Sequence, residues 1–501
     1  MGRSVSRSAP LKIRLIQPLA HLRDAIRIRI EQPLPGDYGH IAAALVMGDQ
    51  RGIAEATQDA MRASGLGHIL SISGLHLALV AGSVFWLIRA LLALSPTLAL
   101  NYPIKKWAAG AALGAATFYL GISGAEVATV RSWVMLAIML GAILLDRRAL
   151  TLRNVALAAL VILVFSPESL LSISFQMSFA ATAALIATYE VISGRADRGL
   201  TLVDARERTV FGRVRETVFT LFLTSLVAGL ATAPFGAFYF QRIAPLTIVA
   251  NMAAAPAVGF IVMPMALASV LVMPFGLEAI PLTVMQWGLA WMVIVAEHTA
   301  AWSEGLGGVP ALPAGALLLM VAGFLWLTLW RERWRLLGLA PIVIALPIAF
   351  LVVRPDVLID ESATAAAVRG DDGRFSILGG KGADFEVENW LRADADTRTV
   401  DAADLARGVA CDLLGCAGRL ADGTVVALTN RRDAFVEDCR MAAIVVSRFD
   451  APPGCASHAL VIDRAALDRF GAHAVYVEES GLRVETAYPE VRRPFMPPVR
   501  D

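Results

Sequence analysis

Charged residues and cysteines are both scarce in this sequence. Asp, Glu, Lys and Arg make up 17% of its 501 residues against 57% hydrophobic ones, and the mean hydropathy is +0.62. Such a balance excludes a water-soluble globular protein and implies a polytopic membrane protein. No cysteine precedes Cys411. No apolar stretch comes after the basic and polar Met1–Pro10, as a signal peptide would require. No glycine-rich loop has the form of a nucleotide-binding P-loop, and no nucleophile, histidine and acid are spaced as a catalytic triad, so transport is favoured over catalysis.

The charge that is present divides by region. Residues 354–501 hold 25 acidic and 18 basic residues, a net of −7, which leaves +8 on residues 1–353. All four cysteines, Cys411, Cys416, Cys439 and Cys455, lie in the acidic part. They allow up to two disulfides in an oxidising compartment, with three connectivities open, or four unpaired thiols; their spacing is not that of a zinc site. The expected domains are an amphipathic N-terminal segment, 1–40, a membrane domain, 41–353, and a soluble mixed α/β domain, 354–501. In the first, basic residues alternate with apolar ones over Leu11–Ile30, as in a helix on a membrane surface or in solvent. In the last, short β-like runs begin at Val357, Phe375, Thr424, Ala443, Ala459 and Ala474.

Ten spans are expected: 74–94, 106–121, 127–145, 151–165, 170–192, 217–236, 246–272, 279–302, 312–330 and 336–353. Lys105, Lys106, Arg147, Arg148, Arg198, Arg206, Arg208 and Arg331–Arg335 come after odd-numbered spans, which places those loops in the cytoplasm and the C-terminal domain outside. Pro256 and Pro264 could split the seventh span and reverse the orientation of every later one. Gly110 and Gly114 form a small-xxx-small pair, and Trp326, Trp330 and Trp334 recur as an interfacial belt.

The chain is organised around Gly65–Gly82, where His68, His76, Ser71 and Ser73 stand at the mouth of the first span. Ser73 can cap that helix, and Gly74 lets another backbone approach. Residues 65–72 are too short to span and read as one re-entrant or interfacial segment. Other polar residues inside apolar stretches are Arg131, Ser174, Gln176, Ser178 and Asn251, each a candidate for a polar path or for helix-to-helix bonding. Arg131 could also snorkel to the interface.

Several ordered blocks resemble the ComEC family, the inner-membrane channel for DNA uptake in bacterial transformation. Gly48-Asp49-Gln50-Arg51-Gly52 is similar to its Gly-Asp-Arg turn, and Gly67–His76 to its signature block. Gly121–Arg131 ends in the expected arginine; Ser174-Phe175-Gln176-Met177-Ser178-Phe179 matches its Phe-Gln-Leu-Ser-Phe block, and Pro234–Pro256 with Asn251 its last. The resemblance implies passage of single-stranded DNA along a path through His68, Ser73, Gly74, His76, Arg131, Gln176, Ser178 and Asn251, with Gly48, Asp49, Phe175 and Pro256 structural. It implies a multi-pass protein of the bacterial inner membrane with its C-terminal domain periplasmic, and as partners membrane lipid, a separate cytoplasmic motor, a periplasmic DNA receptor and, as an open option, a second copy. Family members often begin with membrane helices and an OB-fold domain, and only about 40 residues precede the first block here, so the expectation is that this part is missing or that the chain starts late. Residues 357–485 resemble a degenerate metallo-β-lactamase-like domain: its His-x-His-x-Asp-His run is absent, Ser447-Arg448-Phe449-Asp450 stands where His-His-Gly is expected, and only His458 and His473 remain. No metal, cofactor or nuclease activity is therefore expected. The alternatives are a small-solute permease and a truncated, non-functional homologue.

Overall fold

The structure, a computed structural model, describes residues 11–196, 210–303 and 306–489. Arg198, Arg206 and Arg208 lie outside them. The chain divides into two compact units: Met1–Tyr239 with Ala244–Gly307 and Met320–Ile342, and Phe240–Ile243 with Gly308–Leu319 and Val343–Asp501.

The first unit is helical. In order come α1 (Leu11–Glu31), α2 (Asp37–Met47), α3 (Glu55–Ala63), α4 (Gly67–Leu70), α5 (Gly74–Ala93), α6 (Pro96–Asn101), α7 (Ile104–Ile122), α8 (Val127–Leu144), α9 (Leu152–Phe165), α10 (Ile173–Ala196), α11 (Val210–Phe240), α12 (Thr247–Ala257), α13 (Met263–Val272) and α14 (Ala279–Trp302), then α15 (Ala314–Leu329) and α16 (Leu339–Phe350). All ten expected spans are helical. Among the described residues seven stretches are long and apolar enough to cross a membrane: Gly74–Ala93, Val127–Leu144, Ile173–Ile192, Val214–Phe240, Thr247–Phe275, Ala279–Trp302 and Arg333–Phe350. The other three fall short for visible reasons. α9 and α15 have 14 and 16 residues, and α7 opens on Lys105-Lys106.

Thr247–Phe275 stays one helical run, so Pro256 and Pro264 do not split the span. Pro256 sits inside α12, Pro264 opens α13, and a π-turn at Val258–Val262 between them accommodates the irregular ladder. Gly110 and Gly114 mark no helix contact, since a Cβ at either would meet open space. The close approach occurs instead at Gly323 and Gly338, each against the other's carbonyl.

Nor is α1 a free amphipathic helix. Ile26 and Ile30 are buried in the main core. Arg23 donates from Nη2 to the Met47 carbonyl at 3.3 Å and its guanidinium lies against Gly124; Arg29 Nε donates to Glu278 Oε1 at 2.6 Å. Alternating sides would put the turns at Gly124 and Glu278 across the membrane from each other. Arg23 and Arg29 are separated by about 9 Å of helix, against about 30 Å of hydrocarbon, so alternation alone does not orient the spans after α11.

The second unit ends in a four-layered sandwich. One sheet runs β10 (Gly481–Thr486), β9 (His473–Glu478), β1 (Val357–Ile359), β2 (Ala365–Arg369), β3 (Phe375–Gly379); the other runs β4 (Ala410–Cys411), β5 (Gly415–Arg419), β6 (Val425–Thr429), β7 (Ile444–Ser447), β8 (Leu460–Ile462). The first is antiparallel throughout, whereas β6, β7 and β8 are parallel. Alternation along each strand builds three cores. Val368 and Leu378 meet Val426, Leu428, Ile444 and Val446 between the sheets. Ala365, Ala367 and Phe375 face outward to α17 (Asp384–Ala393), and Ala427 and Val445 to α18 (Phe435–Met441). A third helix, α19 (Arg464–Phe470), links β8 to β9. Disulfides join Cys411 to Cys416 and Cys439 to Cys455, which removes the reading of four free thiols.

Candidate functional site

The glycine–aspartate turn shows why its residue types are needed. α2 ends at Gly48 in the left-handed region (φ +80°), with its N–H on the Ala44 carbonyl at 2.8 Å. A Cβ there would stand 3.3 Å from the Ser123 carbonyl, so the turn docks against the α7–α8 connection. Asp49 accepts from Arg51 Nε and Nη2 at 2.9 and 2.8 Å, and that guanidinium holds its carboxyl down to about 2. Gln50 donates to the Leu70 carbonyl at 3.1 Å, and Gly52 leaves room for the His40 ring. The turn thereby positions α4 and the start of α5.

Leu66, Ile69, Leu70 and Ile72 bury the short segment ahead of α5. His68 points out of that core and its Nδ1 lies 2.9 Å from the Gly65 carbonyl. Gly65 (φ +79°) is packed so closely on Thr247 that a side chain would collide with it, and Thr247 donates to the Ser64 carbonyl at 3.3 Å. Through Thr247 the segment meets the start of α12, which carries Asn251 and Pro256.

His76 is fully buried. It closes a capping box with Ser73, whose N–H donates to His76 Nδ1 at 3.1 Å. Accepting at Nδ1 leaves Nε2 as the donor of the neutral ring, and Nε2 has no partner among the described residues. One turn of α8 crosses here: a Cβ on Gly74 would stand 3.5 Å from Ser132 Oγ. That turn also carries Thr129 and Arg131. Thr129 is 0% and Arg131 3% exposed, so Arg131 does not snorkel. Its Nη2 donates to Ser174 Oγ on α10; its Nε and Nη1, like Thr129 Oγ1, find no partner among the described residues.

Two residues along α10, Gln176 donates to the Leu170 carbonyl at 3.0 Å and accepts from Tyr239 on α11 at 3.0 Å. Phe175 is buried with its ring 4.3 Å from that of Phe179, and Ser178 is half-buried. The expected residues thus fall into three groups. Ser73, Gly74, His76 and Arg131 form one seam along α5 and α8 that reaches α10 at Ser174, with Ser178 one turn further on, whereas Gln176, about 200° around α10 from Ser174, is turned to α11. His68 and Asn251 lie on the α12 side, and no hydrogen bond links Asn251 to the seam among the described residues. The seam also holds Thr129 and Ser132, and Gln176 is met by Tyr239; sequence reasoning misses all three. Thr129 and Ser132, three apart in an apolar helix, carry a detectable signal as a polar stripe beside Arg131.

A family profile described as "Competence protein" matches residues 45–334. The chain belongs to the competence protein family. The ComEC-type likeness of its blocks therefore holds. Competence protein ComA of Neisseria gonorrhoeae is 30% identical over 322 residues, 64% of this chain and 42% of that protein. ComE operon protein 3 of Bacillus subtilis (strain 168) is 25% identical over 240 residues, 48% and 27% of the two. The uncharacterized protein YcaI of Escherichia coli (strain K12) is 26% identical over 333 residues, 66% and 39%. The aligned part is under half the length of each of these relatives. No solved structure matches the chain. The matched region contains all of this competence-family chain's candidate path residues.

Proposed function

We propose that this chain passes single-stranded DNA across the bacterial inner membrane during transformation, along the seam of α5, α8 and α10. One observation carries the reading. In an apolar bundle, Arg131 keeps two buried guanidinium nitrogens without acceptors among the described residues, on the turn of α8 that meets Gly74, two residues before the His76 ring whose Nε2 also lacks a partner there. Buried polar groups without partners are costly, and a phosphate oxygen or water in the seam would complete them. A polyanion cannot enter hydrocarbon without such substitutes for its hydration. The serines suit a strand that must move on, since they contact phosphate or base edges without holding them as a lysine cluster would.

The remaining parts derive from that role. With no nucleotide-hydrolysing motif in the sequence, the pulling force comes from a separate cytoplasmic motor, and a periplasmic receptor delivers the strand. The C-terminal unit faces the periplasm, where its two disulfides persist. It does not cut DNA: His473 is buried in β9 on the Gly471 carbonyl at 2.7 Å, where burial holds its imidazole below the ordinary range, and His458 lies in an exposed turn. Cleavage of DNA by the solubilised chain with manganese or zinc would overturn this part.

Deleting the gene in a transformable host tests the whole. Transformation by a chromosomal marker should fall to background. Unchanged transformation with a growth defect on one small solute would instead support a permease.

A further inference from the structure

Loops leaving neighbouring parallel strands at their carboxyl ends are where α/β proteins gather ligand contacts, and among the described strands of the C-terminal unit only β6, β7 and β8 of the second sheet are parallel. Thr429 and Ser447 end β6 and β7 and are partners in register. The chain leaves them as Asn430-Arg431-Arg432 and as Arg448-Phe449, so three arginines emerge from one edge of the sheet. All three are exposed, and none makes an ion pair or a side-chain hydrogen bond among the described residues. Two of them lie against one ring: the guanidinium carbons of Arg432 and Arg448 are 5.6 and 5.3 Å from the centre of Phe449.

This arrangement is held from below. The Phe449 N–H donates to Ser447 Oγ at 3.2 Å, and the ring packs on the core around Phe435. The Cys439–Cys455 disulfide ties α18 to the segment after β7. The two inner carboxylates are already engaged: Asp438 accepts from the Thr429 hydroxyl at 2.6 Å, and Asp463 from the Ala451 and Ala466 N–H groups at 3.1 and 3.2 Å. Asp433 and Asp450 are the exposed acids beside the arginines. Uncompensated cations fixed on an aromatic ring, in a unit of net negative charge, form a site for an external anion.

We propose that this edge binds the phosphate backbone of single-stranded DNA, with Arg432 and Arg448 each contacting one phosphate and Phe449 holding their guanidinium groups in place. The identity of the anion rests on the transport reading; the site itself does not. Two guanidinium groups held about one ring present paired cations to successive phosphates of a flexible single strand. Guanidinium charge can hold a phosphate at that edge but brings no activated water, so the strand is gripped and not cut.

The test uses the full chain in detergent micelles and a fluorescein-labelled oligothymidylate, read by anisotropy across a salt series. Arg432→Gln with Arg448→Gln should weaken binding about tenfold and lower the slope of log affinity against log salt by about 1.4, the expectation for two lost single-strand phosphate contacts. Arg419→Gln, at the opposite end of the same sheet, should change neither, and Arg432→Lys with Arg448→Lys should retain most of the affinity. Wild-type binding in the glutamine double variant, or an equal loss in Arg419→Gln, overturns the proposal. So does displacement of the oligonucleotide by phosphatidylglycerol vesicles as effectively as by unlabelled strand, which would make this a lipid-headgroup site. If the glutamine double variant does not fold, Arg448→Gln alone should halve the slope change, and an unchanged slope overturns the proposal. Deletion of the gene reports separately: normal transformation in its absence, with the arginine dependence intact in micelles, removes the transport reading and leaves the site.

Discussion

Arg131 is costly to the fold, and the proposed transport role gives that cost a use. Each of its unpartnered N–H groups costs about 1–3 kcal/mol, and an apolar replacement relieves that cost. Arg131→Met should therefore leave the thermal midpoint of the solubilised protein unchanged or raise it, while lowering transformation by about tenfold or more, the effect of about 1.4 kcal/mol. Normal transformation in that variant would reduce Arg131 to packing. Gly48 is a purely structural counterpart: Gly48→Ala places a Cβ in the left-handed region and against the Ser123 carbonyl, at a cost of about 1–2 kcal/mol, seen as a lower midpoint. In the C-terminal unit, Asp396 and Arg398 pair at 2.6 Å with little exposure of either. Burial alone would raise the Asp396 carboxyl, but the bonds from Arg398 hold it below its ordinary value. A depressed folded value means the pair stabilises fully above the unfolded value, about 4, and loses its effect as pH falls through the folded one. Thermal melts of the unit should show that acid sensitivity, and Arg398→Gln should flatten it.

Among elements, long apolar helices are legible in the sequence and alanine-rich strands are not. Every expected span is a helix because an uninterrupted apolar run between punctuating Pro, Gly or charged residues leaves little else to form in a membrane. Six strands announce themselves through their β-branched residues. β2 (Ala365–Arg369) and β5 (Gly415–Arg419) do not, since Ala-Ala-Ala and Gly-Cys-Ala-Gly carry no β propensity and pair only because their partners supply the register. α1 misleads for a related reason. Its arginines resemble a solvated face, and only the fold reveals Met47, Gly124 and Glu278 as their partners. The candidate residues are half legible: Arg131 and Gln176 stand out as polar residues in apolar runs, but nothing local announces Ser174 or Tyr239 as their partners on the two faces of α10. Of the two disulfides, Cys439–Cys455 closes the longer loop, with a sequence separation of 16. Its removal by Cys439→Ser with Cys455→Ser should cost about 3 kcal/mol and lower the melting midpoint of the C-terminal unit. Maleimide labelling of all four cysteines should need prior reduction; labelling without reductant in intact cells would place that unit in a reducing compartment.

For the whole molecule, the division into a helical unit and a sheet-containing unit parallels the two proposed roles, moving a strand and gripping it. The competence-family match covers the helical part, where the seam of unpaired buried donors lies. The route of labelled DNA in cells is the direct check. Cells lacking the gene should accumulate labelled DNA in the periplasm and none in the cytosol, and the wild-type gene should restore entry. Label arriving in the cytosol at the normal rate without the gene would contradict the account.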